Sequence, residues 1–173
     1  MTCECVGQTM WDLHSAFLLL KALGAPEAGL VGASLGGHNT ALFISLSELA
    51  AFGAMMVPAV NFTSWVLTTD KAFKLSNYFF PGPPWRESEH YVSRSPLSLA
   101  GNVRAPTLIM TGESDFRTPI SESEQLYTAL KLNHVETVLA RYPGEDHGIG
   151  RWPSNVISTT ENTLAWFDRH MKR

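Results

Sequence analysis

The amino-acid sequence predicts an α/β fold, with a mostly parallel sheet and helices on both of its faces. Three observations support this class. Short apolar runs of strand character alternate with segments of helical period, the pattern of repeated strand–helix units. The 173 residues are 45% apolar and 17% charged, enough for one sizeable core and too short for a second. A glycine-flanked serine stands where one strand candidate gives way to a helix candidate.

Taken in order, Leu13, Ala16, Phe17, Leu20 and Leu23 recur at helical spacing, and Gly24 offers a stop. Residues 29–32 form a short apolar run that predicts a buried strand, and 36–49 return to helical spacing. Residues 52–60 predict a second strand, its ends weakened by Gly53 and Pro58. A third strand is expected at 106–111, a helix at 121–132 and a fourth strand at 135–142. Residues 156–171 close the chain as an amphipathic helix, with Val156, Thr160, Leu164, Phe167 and Met171 along its apolar stripe.

Residues 61–101 break this rhythm. They hold Trp65, Phe73, Tyr78, Phe79, Phe80, Trp85 and Tyr91, interrupted by Pro81, Pro83 and Pro84. The stretch is too long for an ordinary connection. It predicts an insertion over the C-terminal edge of the sheet, where such folds bind ligands. An aromatic satellite core without a ligand role is the alternative. Residues 1–173 read as a single domain carrying this insertion.

The net charge of −3, with no block of like charges, argues against nucleic acid and against a membrane surface as partner. Cys3 and Cys5 have no second Cys or His pair at zinc spacing, so they read as reduced thiols and no metal is expected. The apolar run at 16–20 stops at Lys21, too short to span a bilayer and wrongly flanked for a signal peptide. A cytoplasmic location is the expectation. There is no phosphate loop or dinucleotide fingerprint, and no cofactor is expected.

Gly32-Ala33-Ser34-Leu35-Gly36-Gly37 has the G-x-S-x-G pattern. A serine at a sharp strand-to-helix turn is pushed clear of the sheet, and glycines on either side relieve crowding in the strained turn. The backbone N–H of Leu35 would face an oxyanion, helped by the positive end of the following helix. A serine hydroxyl needs a base to take its proton and a third group to orient that base. In the α/β-hydrolase fold the chain order is serine, acid, histidine. Asp115 follows the third strand candidate and His147 the fourth, so both are expected at the sheet edge that carries Ser34.

Other residues fit less well. His14, His134 and His170 lie away from that edge, and His90 sits in the aromatic insertion. His38, four residues after Ser34, is expected to pack or hydrogen-bond rather than act as base. Glu113 and Asp146 are rival acids; Asp146 adjoins the histidine and is awkwardly placed to grip its Nδ1.

Several blocks resemble the catalytic domain of the prolyl oligopeptidase family, near its acylaminoacyl-peptidase and dipeptidyl-aminopeptidase branches. They are the serine motif, Gly82-Pro83-Pro84-Trp85, Ser95-Pro96-Leu97 and Ala105-Pro106-Thr107-Leu108-Ile109. Next come Gly112-Glu113-Ser114-Asp115-Phe116-Arg117-Thr118-Pro119, then Glu124-Gln125-Leu126-Tyr127 with Ala129-Leu130-Lys131. The last are Arg141-Tyr142-Pro143-Gly144-Glu145-Asp146-His147-Gly148 and Trp166-Phe167-Asp168. The resemblance implies hydrolysis of an acyl bond, by family precedent in short peptides. Ser34 would be nucleophile, Asp115 triad acid, His147 base, and Arg117 structural support.

Members of that family carry a β-propeller, or at least four further strands, before this point. The resemblance therefore implies an α/β-hydrolase domain truncated at its N-terminus. The loop that normally donates the second oxyanion N–H would be missing, and such a donor is worth about 10²–10³ in rate. The strand at 29–32 would present an unpaired edge and favour self-association. An esterase or thioesterase with the same triad, and an impaired remnant serving only as an interaction surface, are the competing functions.

Overall fold

The computed structural model describes residues 5–171. Cys3 lies outside them. The chain runs through α1 (Cys5–Ala22), β1 (Leu30–Ala33), α2 (Leu35–Leu46) and β2 (Gly53–Met56). Three short helices follow, α3 (Phe62–Thr68), α4 (Ala72–Phe79) and α5 (Ser88–Ser93), with a 3₁₀ segment at Pro96–Asn102. Then come β3 (Thr107–Gly112), α6 (Ile120–Leu132), β4 (Thr137–Tyr142) and α7 (Pro153–His170). Among the described residues the sheet is four-stranded and wholly parallel, in the order β1-β2-β3-β4.

Strand alternation divides the core in two. Met55 and Ile109 face a layer built from Phe17 of α1, Ala41, Phe43 and Ile44 of α2, and Leu126 and Leu130 of α6. Their neighbours Ala54, Leu108 and Met110 face the opposite layer, where Trp166 and Phe167 of α7 pack with Phe52 and Tyr142. Helices cover both faces of the central strands β2 and β3, which are apolar and almost wholly buried, whereas the edge strands β1 and β4 are partly exposed. Because every strand runs the same way, the chain leaves β1, β2, β3 and β4 at one common edge.

The second strand is shorter than its apolar run. The ladder ends where the N–H of Val57 donates to the carbonyl of Met110 at 2.8 Å. Val57 then turns at φ 45°, and Pro58 has no N–H to continue the pairing. Residues 58–60 leave the sheet. The last helix also differs: Val156, Leu164 and Met171 are exposed, Leu164 by 60%. The face turned to the sheet carries Thr159 and Trp166, with Phe167 packed beside them. α1 likewise buries Phe17, while Leu18, Leu19 and Leu20 face outward, as does Leu23 just past its end.

Residues 61–101 hold α3, α4, α5 and most of the 3₁₀ segment. Phe62, Trp65, Val66, Phe80 and Tyr91 form a cluster of their own. Phe80 stacks on Tyr91 at 3.9 Å between centroids, and Phe62 meets Phe80 edge-on at 5.3 Å. Phe73, Tyr78 and Trp85 stay exposed. No described helix is long and apolar enough to cross a membrane.

Candidate active site

Ser34 is the single residue between β1 and α2, held at φ 56° and ψ −118°. A non-glycine residue there is strained by about 1–3 kcal/mol, and the surroundings hold it in place. Its N–H donates to the carbonyl of Met56 at 2.9 Å. A Cβ on Gly32 would stand 2.1 Å from the carbonyl oxygen of Gly36, so the turn closes only over glycine. Gly36 itself has open space on that side. Gly37 is the second crowded position, where a Cβ would stand 2.9 Å from the oxygen of Met56. Leu35 opens α2, and its N–H belongs to the first helical turn, where backbone donors lack intrahelical acceptors.

Asp115 stands in the loop after β3 and His147 in the loop after β4. His147 Nε2 lies 2.8 Å from Ser34 Oγ, and its Nδ1 lies 2.8 Å from Asp115 Oδ2. The Asp115 side chain is wholly buried; that of His147 is 30% exposed. An ionised carboxylate only accepts, so the imidazole proton belongs on Nδ1 and leaves Nε2 free to receive the serine proton. Burial pushes the Asp115 carboxyl up, but hydrogen bonds from His147 and from the Thr118 backbone and hydroxyl outweigh it and hold it below the ordinary range.

The rival acids point elsewhere. Glu113 pairs with Arg141 at 2.8 Å, and Asp146 Oδ1 accepts the N–H of Gly148 at 2.9 Å. His38 is fully buried. Its Nδ1 meets the Ala59 carbonyl at 2.9 Å, and its ring stacks on Phe62 at 4.6 Å. Burial pulls its pKa down to about 4, against the Ala59 bond and with the help of the Arg94 charge. His90, His14, His134 and His170 take no part in this cluster.

Sequence reasoning missed three residues that shape the site. Thr118 accompanies Asp115; the spacing of an Asx turn, Asp115 accepting the N–H of Arg117 at 2.8 Å and of Thr118 at 2.9 Å, is the signal that could have found it. Buried Glu145 accepts from the N–H groups of Arg151 and Trp152, each at 3.0 Å, and from Asn155 Nδ2 at 2.8 Å. It thus ties the histidine loop to the start of α7. Buried Glu122 accepts from Val60 and Asn61 across more than sixty residues of sequence, which no local pattern announces. Arg117 forms an ion pair with Asp70 at 2.6 Å, and its carbonyl accepts from Trp65 Nε1 and Thr69 Oγ1. The acid loop is thereby pinned to α3.

Beside Ser34 opens a cavity of about 170 Å³ bordered by Leu35, His38, Phe62, Trp65, Phe79 and His147. Its walls are chiefly apolar. No group of His, Cys, Asp and Glu among the described residues is arranged to hold a metal ion.

A parallel sheet with a serine at the β1–α2 turn, an acid after β3 and a histidine after β4 is the architecture of the α/β-hydrolases. Within that class the chain belongs to the prolyl oligopeptidase family, whose sequence profile matches residues 16–173. It is 31% identical over 145 residues to the uncharacterized peptidase YuxL of Bacillus subtilis, covering 83% of this chain and 22% of that protein. It is 27% identical over 168 residues to acylamino-acid-releasing enzyme 1 of Oryza sativa subsp. japonica, covering 91% of this chain and 22% of the relative. A puromycin-hydrolyzing peptidase of Mycobacterium tuberculosis superposes with a TM-score of 0.86 at 24% identity, covering 94% of this chain and 25% of the other. The chain thus spans about a quarter or less of each of these proteins.

Proposed function

We propose that this chain carries a serine-hydrolase centre that cleaves acyl bonds, with short peptides as substrates. Ser34 Oγ attacks the carbonyl carbon while His147 Nε2 takes its proton. Asp115 holds the imidazole in the required tautomer and balances its charge. The N–H of Leu35, at the positive end of α2, donates to the developing oxyanion. His147 returns the proton to the leaving amine, and water then releases the acyl group from Ser34 by the same steps in reverse.

The observation that carries this reading is the unbroken hydrogen-bonded chain Ser34–His147–Asp115. The apolar cavity next to Ser34 suits an apolar side chain of the substrate. The names of the Bacillus peptidase and of the rice acylamino-acid-releasing enzyme favour peptides over simple esters. We propose a cytoplasmic setting, in which Cys3 and Cys5 stay reduced. A fluorophosphonate probe tests the reading, because only an activated serine reacts. One label per chain is expected, located on Ser34 and abolished by Ser34→Ala. Labelling that persists in that variant would overturn it.

A further inference from the structure

The hydroxyl of Thr118 stands among three polar partners: the carbonyl of Val57 at 3.0 Å, Asp115 Oδ2 at 2.8 Å and His147 Nδ1 at 3.2 Å. It has one proton and two acceptors that compete for it. A bond to a carboxylate is charge-assisted and stronger than one to a neutral carbonyl, and here it is also the shorter. The imidazole proton is already directed to Asp115 Oδ2 at 2.8 Å, closer than the threonine oxygen.

We propose that Thr118 is a positioning residue for the serine centre, donating its hydroxyl proton to Asp115 Oδ2 and thereby setting how strongly that carboxylate grips His147. This rests on the reading of Asp115 and His147 as partners of Ser34. Asp115 then accepts four hydrogen bonds. Two reach Oδ1, from the N–H groups of Arg117 and Thr118; two reach Oδ2, from the Thr118 hydroxyl and His147. Thr118 supplies half of them from one residue. Its hydroxyl occupies a second lone pair of Oδ2, which fixes the oxygen in front of the imidazole and spreads its charge.

Other charged or titratable groups around the pair have partners apart from this hydroxyl. Arg117, on the acid loop, is tied to Asp70 between α3 and α4, and Asp70 also feels the charge of His147. Asp146 turns to the N–H of Gly148, and His38 of α2 is held neutral near pH 7.

The test is a titration of the His147 ring by NMR in the 173-residue chain, with its resonances assigned by their loss in His147→Gln. Thr118→Val replaces the hydroxyl by a methyl of similar size. The less-neutralised carboxylate should hold the imidazolium more tightly, so the ring's titration midpoint should rise by about half a pH unit. Thr118→Ala should move it the same way if the valine variant does not fold. Thr118→Ser, which keeps the hydroxyl, should match the wild-type protein. An unchanged midpoint in the valine and alanine variants would overturn the proposal. So would a downward shift, which would mean that the hydroxyl accepts from Nδ1 and donates to Val57. A serine variant that shifts with the valine variant would also sink it, assigning the effect to the lost packing. This readout needs no turnover. Failure of fluorophosphonate labelling in all variants would refute the nucleophile assignment for Ser34 and leave the Thr118 result to be judged by itself.

Discussion

His38 and Ser34 lie one helical turn apart and have opposite relations to water. Both border the cavity, but Ser34 holds its hydroxyl in reach of His147, whereas the His38 ring is fully buried against Phe62 and keeps one hydrogen bond, to Ala59. Burial disfavours the charged ring, which lowers its pKa from 6.5 to about 4. The sign of the consequence follows from linkage. Between those values the unfolded chain binds a proton at His38 that the folded chain does not, so falling pH removes stability across this window. Going from pH 7.5 to 4.5, the wild-type protein should lose roughly 2–3 kcal/mol more unfolding free energy than His38→Phe, which keeps a ring against Phe62. Urea unfolding of both proteins at the two pH values measures it; equal losses would show that His38 titrates normally. The expectation that His38 packs and bonds agrees with its placement. Its acceptor lies twenty-one residues away in sequence, which is why spacing alone does not name it.

At the scale of elements, the start of α3 depends on a carboxylate from α6. Glu122 Oε2 accepts the N–H groups of Val60 and Asn61, and Oε1 accepts from Ser64 Oγ at 2.5 Å. Gln125, one turn on, bonds both Asn61 and Ser64. Burial pushes the Glu122 carboxyl up, partly offset by Ser64 and by the backbone donors. This anchor lets the chain leave β2 after Val57 and still deliver Phe62 and Trp65 to the cavity. Glu122→Ala strands two backbone donors in a buried setting and should cost about 3 kcal/mol in chemical unfolding. Glu122→Gln, whose carbonyl still serves both N–H groups, should lose clearly less. Equal losses would mean that the anchor acts through charge alone. The composition of residues 61–101 suggests two roles, and the aromatic residues divide between them. Phe80 and Tyr91 pack within the cluster, whereas Phe62 and Trp65 belong to the cluster and also border the cavity.

In the molecule as a whole, the sheet among the described residues ends in two edge strands, β1 and β4, of which β1 carries no charged side chain. β1 pairs with β2 alone, Val31 is 41% exposed, and Leu18 and Leu19 of α1, with Leu23 just past its end, are exposed as well. A parallel or antiparallel copy of the same strand satisfies such an edge without any other partner, and apolar neighbours add to the gain. We propose that this chain, prepared alone, associates with a second copy through β1. Light scattering should show a dimer or larger species. A monodisperse monomer would refute it. Replacing Val31 by lysine, a charge placed on the strand edge, should shift the population toward monomer.

Chain order and local chemistry make the serine turn and the two loop residues legible in the sequence alone. A serine forced to φ 56° needs Gly32 close by, and strands of one direction bring their ends to one edge, so both requirements are written in short sequence intervals. Burial and long-range bonding are not. The stripe expected on α7 is misplaced because hydrophobic spacing does not tell which side of a helix meets the sheet, and Trp166 fills that side. The run at 52–60 reads as one strand because apolarity does not reveal where a ladder ends. That end is set by the left-handed turn at Val57 and by Glu122, which waits more than sixty residues further on. The partners of Thr118, Glu122 and Glu145 are fixed by the meeting of loops that only the folded backbone brings together. A hydrogen bond depends on angstroms in space, and sequence distance carries no such measure.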